Sequence, residues 1–307
     1  MPAGADHRGM DAIDIAGAAD AIRPYIRRTP LLDARIDGRR VLLKLEHLQL
    51  SGSFKVRGAL NALLARPAGE QVVTASGGNH GLGVATAAGL LGRAATVFVP
   101  ETVPAGKARR IEAAGARLIR HGSTYAEAAA AAIAASDRPG YGYLPAYDDP
   151  AVIAGQGTVA AEVVEEAPEV DAFVVAVGGG GLAAGTALAA GPRRTVAVEP
   201  ENCRCLADAL AAGRPVDSAV DSVAASALGA TRAGELPFAI LRQSPVESVL
   251  VSDKELLTAR DLLWDHFRLA VEPAAAVPFA AWWGGRAGGE LPCLIVCGAN
   301  TDWAPGS

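Results

Sequence analysis

The chain has 307 residues, half of them apolar and only 5% aromatic, with a formal charge of −5. That length makes one large α/β domain or two ordinary ones and buries an ample core, so no disulfide or metal staple is needed. The acidic balance, with no concentrated basic run, argues against nucleic acid as a main partner. Of 28 basic residues only four are lysines, namely Lys44, Lys55, Lys107 and Lys254. Chemistry that needs a side-chain amine therefore has four candidates.

The first residues, MPAGADHRGMDA, lack the apolar segment of a secretory signal, so none is expected. A first strand is predicted over 41–45, with Lys44 alternating inside it. Next comes Ser51-Gly-Ser-Phe-Lys55-Val-Arg-Gly58, where small residues let backbone and amine approach a ligand together. A surface lysine at a helix start would look similar. In a chain that uses arginine for nearly every other cation, however, a retained lysine points to an amine that can lose its proton and attack a carbonyl.

The strand predicted over 71–75 runs into Ser76-Gly-Gly-Asn-His80-Gly81 and then a helix over 81–91. Hydroxyl, amide side chain and glycine N–H groups at a helix N-terminus suit an anion, a carboxylate as well as a phosphate. Further strands are predicted over 95–100 and 117–121, with helices over 105–114, 125–136 and 156–166. The uncharged stretch 172–192 has the length of a membrane span. Four glycines at its centre read instead as strand 172–177, a loop at Gly178, Gly179, Gly180 and Gly181, and a helix from Leu182 to 190.

Gly178-x-Gly180-x-x-Ala183, with Glu199 ending the next strand (195–199), also satisfies a dinucleotide fingerprint. Taken alone it would justify a nicotinamide dehydrogenase. The last elements are a strand over 248–251, a helix over 253–269 and an apolar strand over 291–297. Cys297 ends that strand, where open α/β sheets bind ligands, although a buried cysteine is more often plain core. Cys203, Cys205, Cys293 and Cys297 form no CxxC pair, which predicts a reduced, cytoplasmic protein without structural zinc. Alternating strands and helices predict parallel sheet with helices on both faces.

Together these motifs resemble the fold type II pyridoxal-phosphate enzymes, in the serine/threonine dehydratase and serine racemase branch. The resemblance runs through RTPLLDA (28–34), KLEHLQLSGSFKVRGA (44–59), TASGGNHG (74–81) and YDDPAVIAGQGT (147–158). It continues through VGGGGL (177–182), VAVEPENC (196–203), VEPAAA (271–276) and VCGANTD (296–302). It outranks the dinucleotide reading, which gives no reason for SGSFK or SGGNHG.

The family implies a tryptophan synthase beta-like α/β fold of two open, twisted, mainly parallel sheets flanked by helices. A small domain (67–147) would be inserted in a large one (1–66 and 148–307). Lys55 would be the catalytic residue and would hold pyridoxal 5'-phosphate as a Schiff base, with Phe54 packed beside it. Gly178 to Gly181 and Leu182 would hold the phosphate, Cys297 would face the pyridine nitrogen, and Asn79 and Glu272 would lie near the ring. Ser76, Gly77, Gly78, Asn79 and His80 would bind the substrate carboxylate. The activity implied is loss of water from a β-hydroxy amino acid, giving a 2-oxo acid and ammonia, in a homodimer without membrane or nucleic-acid partners. An amino-acid racemase of the same fold is the alternative within the cofactor class. A non-catalytic small-molecule binding protein is the alternative outside it.

Two departures matter. The racemase pattern places a second serine where this chain has Gly77, which favours the dehydratase. Members with a divalent-cation site use an acidic residue where this chain has Cys205, so Glu199 and the Cys203 carbonyl are poor candidates and no metal is expected. With so few residues after Asp302, no C-terminal regulatory domain is expected either.

Overall fold

A computed structural model describes residues 10–304. The readings of the chain's two ends rest partly on residues outside that range. The described chain opens with α1 (Ile15–Ile22), capped by Asp14, whose carboxylate accepts the Gly17 amide at 2.8 Å. β1 (Leu31–Ile36) and β2 (Arg39–Lys44) form a hairpin around Asp37 and Gly38, both at positive φ as a tight two-residue turn requires. α2 (Lys55–Leu64) begins at the lysine of the SGSFK motif.

Then β3 (Gln71–Ala75), α3 (Asn79–Leu90), β4 (Ala95–Val99), α4 (Ala105–Ala113), β5 (Arg117–Arg120), α5 (Tyr125–Ser136) and β6 (Tyr141–Tyr143) alternate. α6 (Pro150–Glu166) leads to β7 (Ala172–Ala176), α7 (Gly181–Ala190), β8 (Arg194–Pro200) and α8 (Cys205–Ala212). After the short α9 (Ala225–Leu228) and α10 (Glu235–Leu241) come β9 (Val246–Val251), α11 (Asp253–Phe267), α12 (Pro273–Trp283) and β10 (Pro292–Ile295).

The strands form two sheets. One has the order β1-β2-β10-β7-β8-β9 and is parallel except for the β1–β2 hairpin; the other, β5-β4-β3-β6, is parallel throughout. The fold is therefore the expected α/β class with two mainly parallel sheets. In the larger sheet the connections turn one way from β7 to β8 and the other way to β10, so a crevice opens at the carboxyl ends of β7 and β10.

One expected helix differs in extent, and one helix that bounds the site has no sequence expectation. The helix expected from 156 starts at Pro150, because Asp149 accepts the Val152 amide at 3.0 Å and proline suits a first turn. Its Gly155 lies so close to α2 that a Cβ would meet the Arg57 carbonyl at 2.6 Å. Glycine here is a helix-packing residue, not a loop signal. α12 has no sequence signature, since it is apolar all round, as its burial requires, and carries Pro278 inside. Among the described residues no helix is long and apolar enough to cross a membrane.

The largest core lies around the six-stranded sheet, and a second lies against the smaller one. The second also takes in Val56, Leu60 and Leu63 of α2. Between them sits a buried ion network. Arg57 donates to both Glu46 oxygens at 2.8 Å and to Glu162 at 2.7 and 3.0 Å. Lys44 donates to Glu162 at 2.6 Å and to the Thr29 carbonyl at 2.8 Å. Thr29 and Thr158 supply further bonds, and two cations offset two anions. Removing one member strands a buried charge. Arg57→Met is expected to destabilise the fold by about 3–5 kcal/mol, read as a lower denaturant midpoint at unchanged m-value. A shift within experimental error would show that the network contributes nothing net.

Candidate active site

Every residue that the motifs assign to the cofactor or the substrate lines one cavity of about 460 Å³. Three loops at the carboxyl ends of β3, β7 and β10 converge there with the first residue of α2. A short bridge between Ser53 and Gly298 and the Phe54 amide donating to the Cys297 carbonyl at 3.2 Å lock α2 to the β10 loop.

The half-buried Lys55 amine donates to the Ala146 carbonyl at 2.8 Å and lies 5.2 Å from the centre of the Phe54 ring. Burial lowers its pKa to about 8, against a weaker opposing pull from Cys297. The amine is thus near the balance between its two forms at physiological pH, which suits both nucleophile and base.

The loop after β3 carries Ser76, whose hydroxyl accepts the Gly78 amide at 3.2 Å. Gly77 and Gly78 lead into α3, whose first-turn amides have no intrahelical acceptor. Asn79 donates to Glu272 at 2.6 Å and accepts from Asn300 at 2.6 Å, and Asn300 also donates to the Ser51 carbonyl at 3.0 Å. Asn300 was not read from the sequence. Its motif lies at the far end of the chain, and only the fold brings it to Asn79. The His80 Nε2 meets the Leu144 carbonyl at 3.1 Å and the Thr74 hydroxyl at 2.9 Å, which requires that nitrogen to carry the proton. Burial first, then the Lys55 charge, lowers its pKa to about 3, so its ring is neutral and braces β3. A Cβ at Gly77 would meet Val103 at 2.7 Å.

The loop after β7 is the glycine run. Gly180 has φ +96°, a left-handed conformation that glycine adopts freely, and caps α7. A Cβ on Gly179 would overlap the Tyr147 ring, and one on Gly181 would lie 2.9 Å from the Tyr147 Cβ. The backbone is therefore packed against side chains on one side while the ten-residue helix α7 presents its N-terminal amides, with Leu182, to the cavity. Cys297 is buried, and burial followed by the nearby Glu272 raises its thiol above the usual range. Glu272 precedes α12. Burial pushes its carboxyl up to about 7, while the Asn79 hydrogen bond and the Lys107 charge pull it back.

Glu199 lies elsewhere. Its two oxygens accept the Leu206 and Ala207 amides, each at 2.8 Å, at the start of α8. A carboxylate so engaged is not free for a ribose hydroxyl, which removes the acidic partner of the dinucleotide fingerprint. Among the described residues no group of three or more His, Cys, Asp or Glu side chains could hold a metal. Tyr125, Tyr147 and the segment 225–231 complete the cavity wall.

Comparison with known proteins gives a consistent result. Residues 22–298 match the family described as pyridoxal-phosphate dependent enzyme. The chain is 36% identical to L-threonine ammonia-lyase of Geobacter sulfurreducens over 94% of its own length and 75% of that protein. It is 34% identical to serine racemase of Arabidopsis thaliana, over 98% and 96%. Among solved structures it resembles the T.th. threonine deaminase, with a TM-score of 0.89 and 37% identity over 95% and 98%. The site fits that cofactor on its own geometry. The Lys55 amine, a glycine cradle that a Cβ at Gly179 would disturb, and a second amide-rich loop share one cavity.

The lowered Lys55 pKa has a direct readout. In cofactor-stripped protein, acetylation of Lys55 followed by peptide mass spectrometry should rise through a midpoint near pH 8. The sign follows from the shift, because the neutral, reactive amine gains population as pH passes the depressed value. A midpoint near the ordinary lysine value of about 10.4 would contradict it.

Proposed function

For this chain, which belongs to the pyridoxal-phosphate dependent enzymes, we propose an ammonia-lyase that removes water from a β-hydroxy amino acid of the L-serine or L-threonine type. The products are a 2-oxo acid and ammonia. The observation that carries the reading is the Lys55 amine, depressed to about pKa 8, in one cavity with the glycine run and the Ser76–His80 loop. Likeness to threonine ammonia-lyase and threonine deaminase over nearly the whole chain supports the reaction class.

Bound pyridoxal phosphate supplies an aldehyde that condenses with amines and a ring that accepts electrons from the Cα–H bond. The roles proposed for the protein follow from its groups. Gly178–Gly181 and Leu182 hold the phosphate through backbone amides, without a Cβ in the way. Ser76, Gly77, Gly78 and Asn79 hold the substrate carboxylate, together with the backbone of His80, whose ring is committed to β3. Phe54 packs beside Lys55. Lys55, once neutral, would take the Cα proton, and the β-hydroxyl would leave as water on taking up a proton, for which the phosphate held by the glycine run would be the acid. Hydrolysis of the imine formed after release yields the oxo acid and ammonia. Cys297, a neutral thiol lining the cavity, would stand at the cofactor's ring nitrogen without holding it protonated, which would favour prompt elimination. Glu272 orients Asn79.

The same reading takes 67–147 as the small domain and 1–66 with 148–307 as the large one, supported by how the strands divide between sheets. It also has the enzyme working as a homodimer in the cytoplasm. Four buried, unbridged cysteines support a reducing compartment.

A racemase is the second reading, favoured by the likeness to serine racemase. Against it, position 77 offers no hydroxyl, and the Val103 methyl stands where a side chain there would go. Assay of serine and threonine should give 2-oxo acid in excess of D-amino acid. More D-amino acid than oxo acid would reverse the order of the two readings. Lys55→Ala should abolish the near-visible absorbance of protein-bound pyridoxal phosphate and lower turnover by roughly 10²-fold or more. Retention of both would remove Lys55 from its role.

A further inference from the structure

We propose that residues 146–148, the strap leading from β6 to α6, are a positioning element that fixes the glycine run relative to the Lys55 amine. The inference deepens the reading of residues 178–181 as the phosphate cradle and rests on it.

Three consecutive residues of the strap each touch a different part of the site. The Ala146 carbonyl accepts the Lys55 amine at 2.8 Å. The Tyr147 ring occupies the space a Cβ on Gly179 would need, and the Tyr147 backbone lies 3.0 Å from where a Cβ on Gly181 would sit. Its hydroxyl donates to the Arg232 carbonyl at 3.4 Å. The Asp148 carboxylate accepts the Glu235 and Leu236 amides at 3.1 and 3.0 Å, at the start of α10. Pro237 of that helix stands 2.9 Å from the Cβ position of Gly180, and the Gly234 amide donates to the Gly179 carbonyl at 3.1 Å. Tyr147 thus holds the front of the glycine run, and Asp148 holds the helix behind it.

The strap's origin is equally defined. The Leu144 amide donates to the Val73 carbonyl at 2.8 Å, so the strap starts from the sheet that also carries the Ser76 loop. A ring packed against a glycine couples the two directly, because the glycine has no side chain to give way and the ring can move only by giving up its own contacts. Any displacement of the smaller sheet would move the acceptor of the amine and the wall of the cradle together.

The test is a double-mutant cycle read as the dissociation constant for pyridoxal phosphate, not as turnover. Gly179→Ala should weaken binding by about tenfold, because its methyl meets the ring. Tyr147→Ala should weaken it by roughly fivefold through loss of the wall, and Tyr147→Phe should change it by less than about twofold. In the Tyr147→Ala background, Gly179→Ala should cost almost nothing further, because the space is vacant. If it still costs about tenfold there, or if Tyr147→Ala binds like wild type, the proposal is overturned. Asp148→Asn, which keeps the shape and weakens two amide contacts, supplies an independent arm: about threefold weaker binding is expected, and unchanged binding counts against the strap. A wild-type chain that binds no pyridoxal phosphate at these residues would instead strike the cradle reading, so the two failures are distinct.

Discussion

The position of the Lys55 amine depends on a charge cluster it does not itself join. Arg57, two residues along α2, is fully buried and bonded to Glu46 and Glu162, while Lys44 closes the set through Glu162. These four groups come from β2, the turn after it, α2 and α6. Their burial has a desolvation cost that only near-ideal geometry offsets. That requirement fixes the N-terminal turn of α2 far more tightly than apolar packing could, since sliding one element breaks several charged hydrogen bonds at once. Lys55 therefore enters the cavity from a rigid support on one side, and the Ser53–Gly298 bridge secures it on the other.

Inside the cavity the protein lowers charge instead of accumulating it. Burial brings the lysine to about 8, the His80 imidazole to about 3 and the Glu272 carboxyl to about 7, and it keeps the Cys297 thiol protonated. One desolvating environment thus acts in opposite directions on bases and acids, and all four move toward their neutral forms. Anions are left to backbone amides at two helix starts, which attract negative charge without themselves titrating. A site built this way suits anionic groups at its two helix starts, and it leaves the Lys55 amine near the balance of its two forms at neutral pH.

The legible part of this arrangement was local. SGSFK, SGGNHG and the glycine run each contain their own donors and turn geometry, so their chemistry could be read in place, and all three line the cavity. The Asp37-Gly38 hairpin and the Asp149-Pro150 helix start are signals of the same local kind. What escaped were residues defined by distant partners. Lys44 read as an ordinary strand lysine because Glu162 lies 118 residues away. Tyr147 carried no signal because its meaning is the missing Cβ of Gly179. Glu199 fits the acidic position of a dinucleotide fingerprint in the sequence, and only the fold shows its bonds to the start of α8.

That last case shows how the far side of the glycine run is supported. Glu199 lies near the end of β8, and its two bonds to Leu206 and Ala207 fix the start of α8, where Cys205 is the first residue. The Cys205 thiol in turn donates to the Gly178 carbonyl at 3.2 Å. Burial raises that thiol's pKa to about 12, so it remains a donor across the physiological range. A carboxylate at position 205 would have no proton to give and would repel both the Gly178 carbonyl and Glu199. Cys205 thus joins the β8–α8 corner to the glycine run directly, by a hydrogen bond that needs no bound ion.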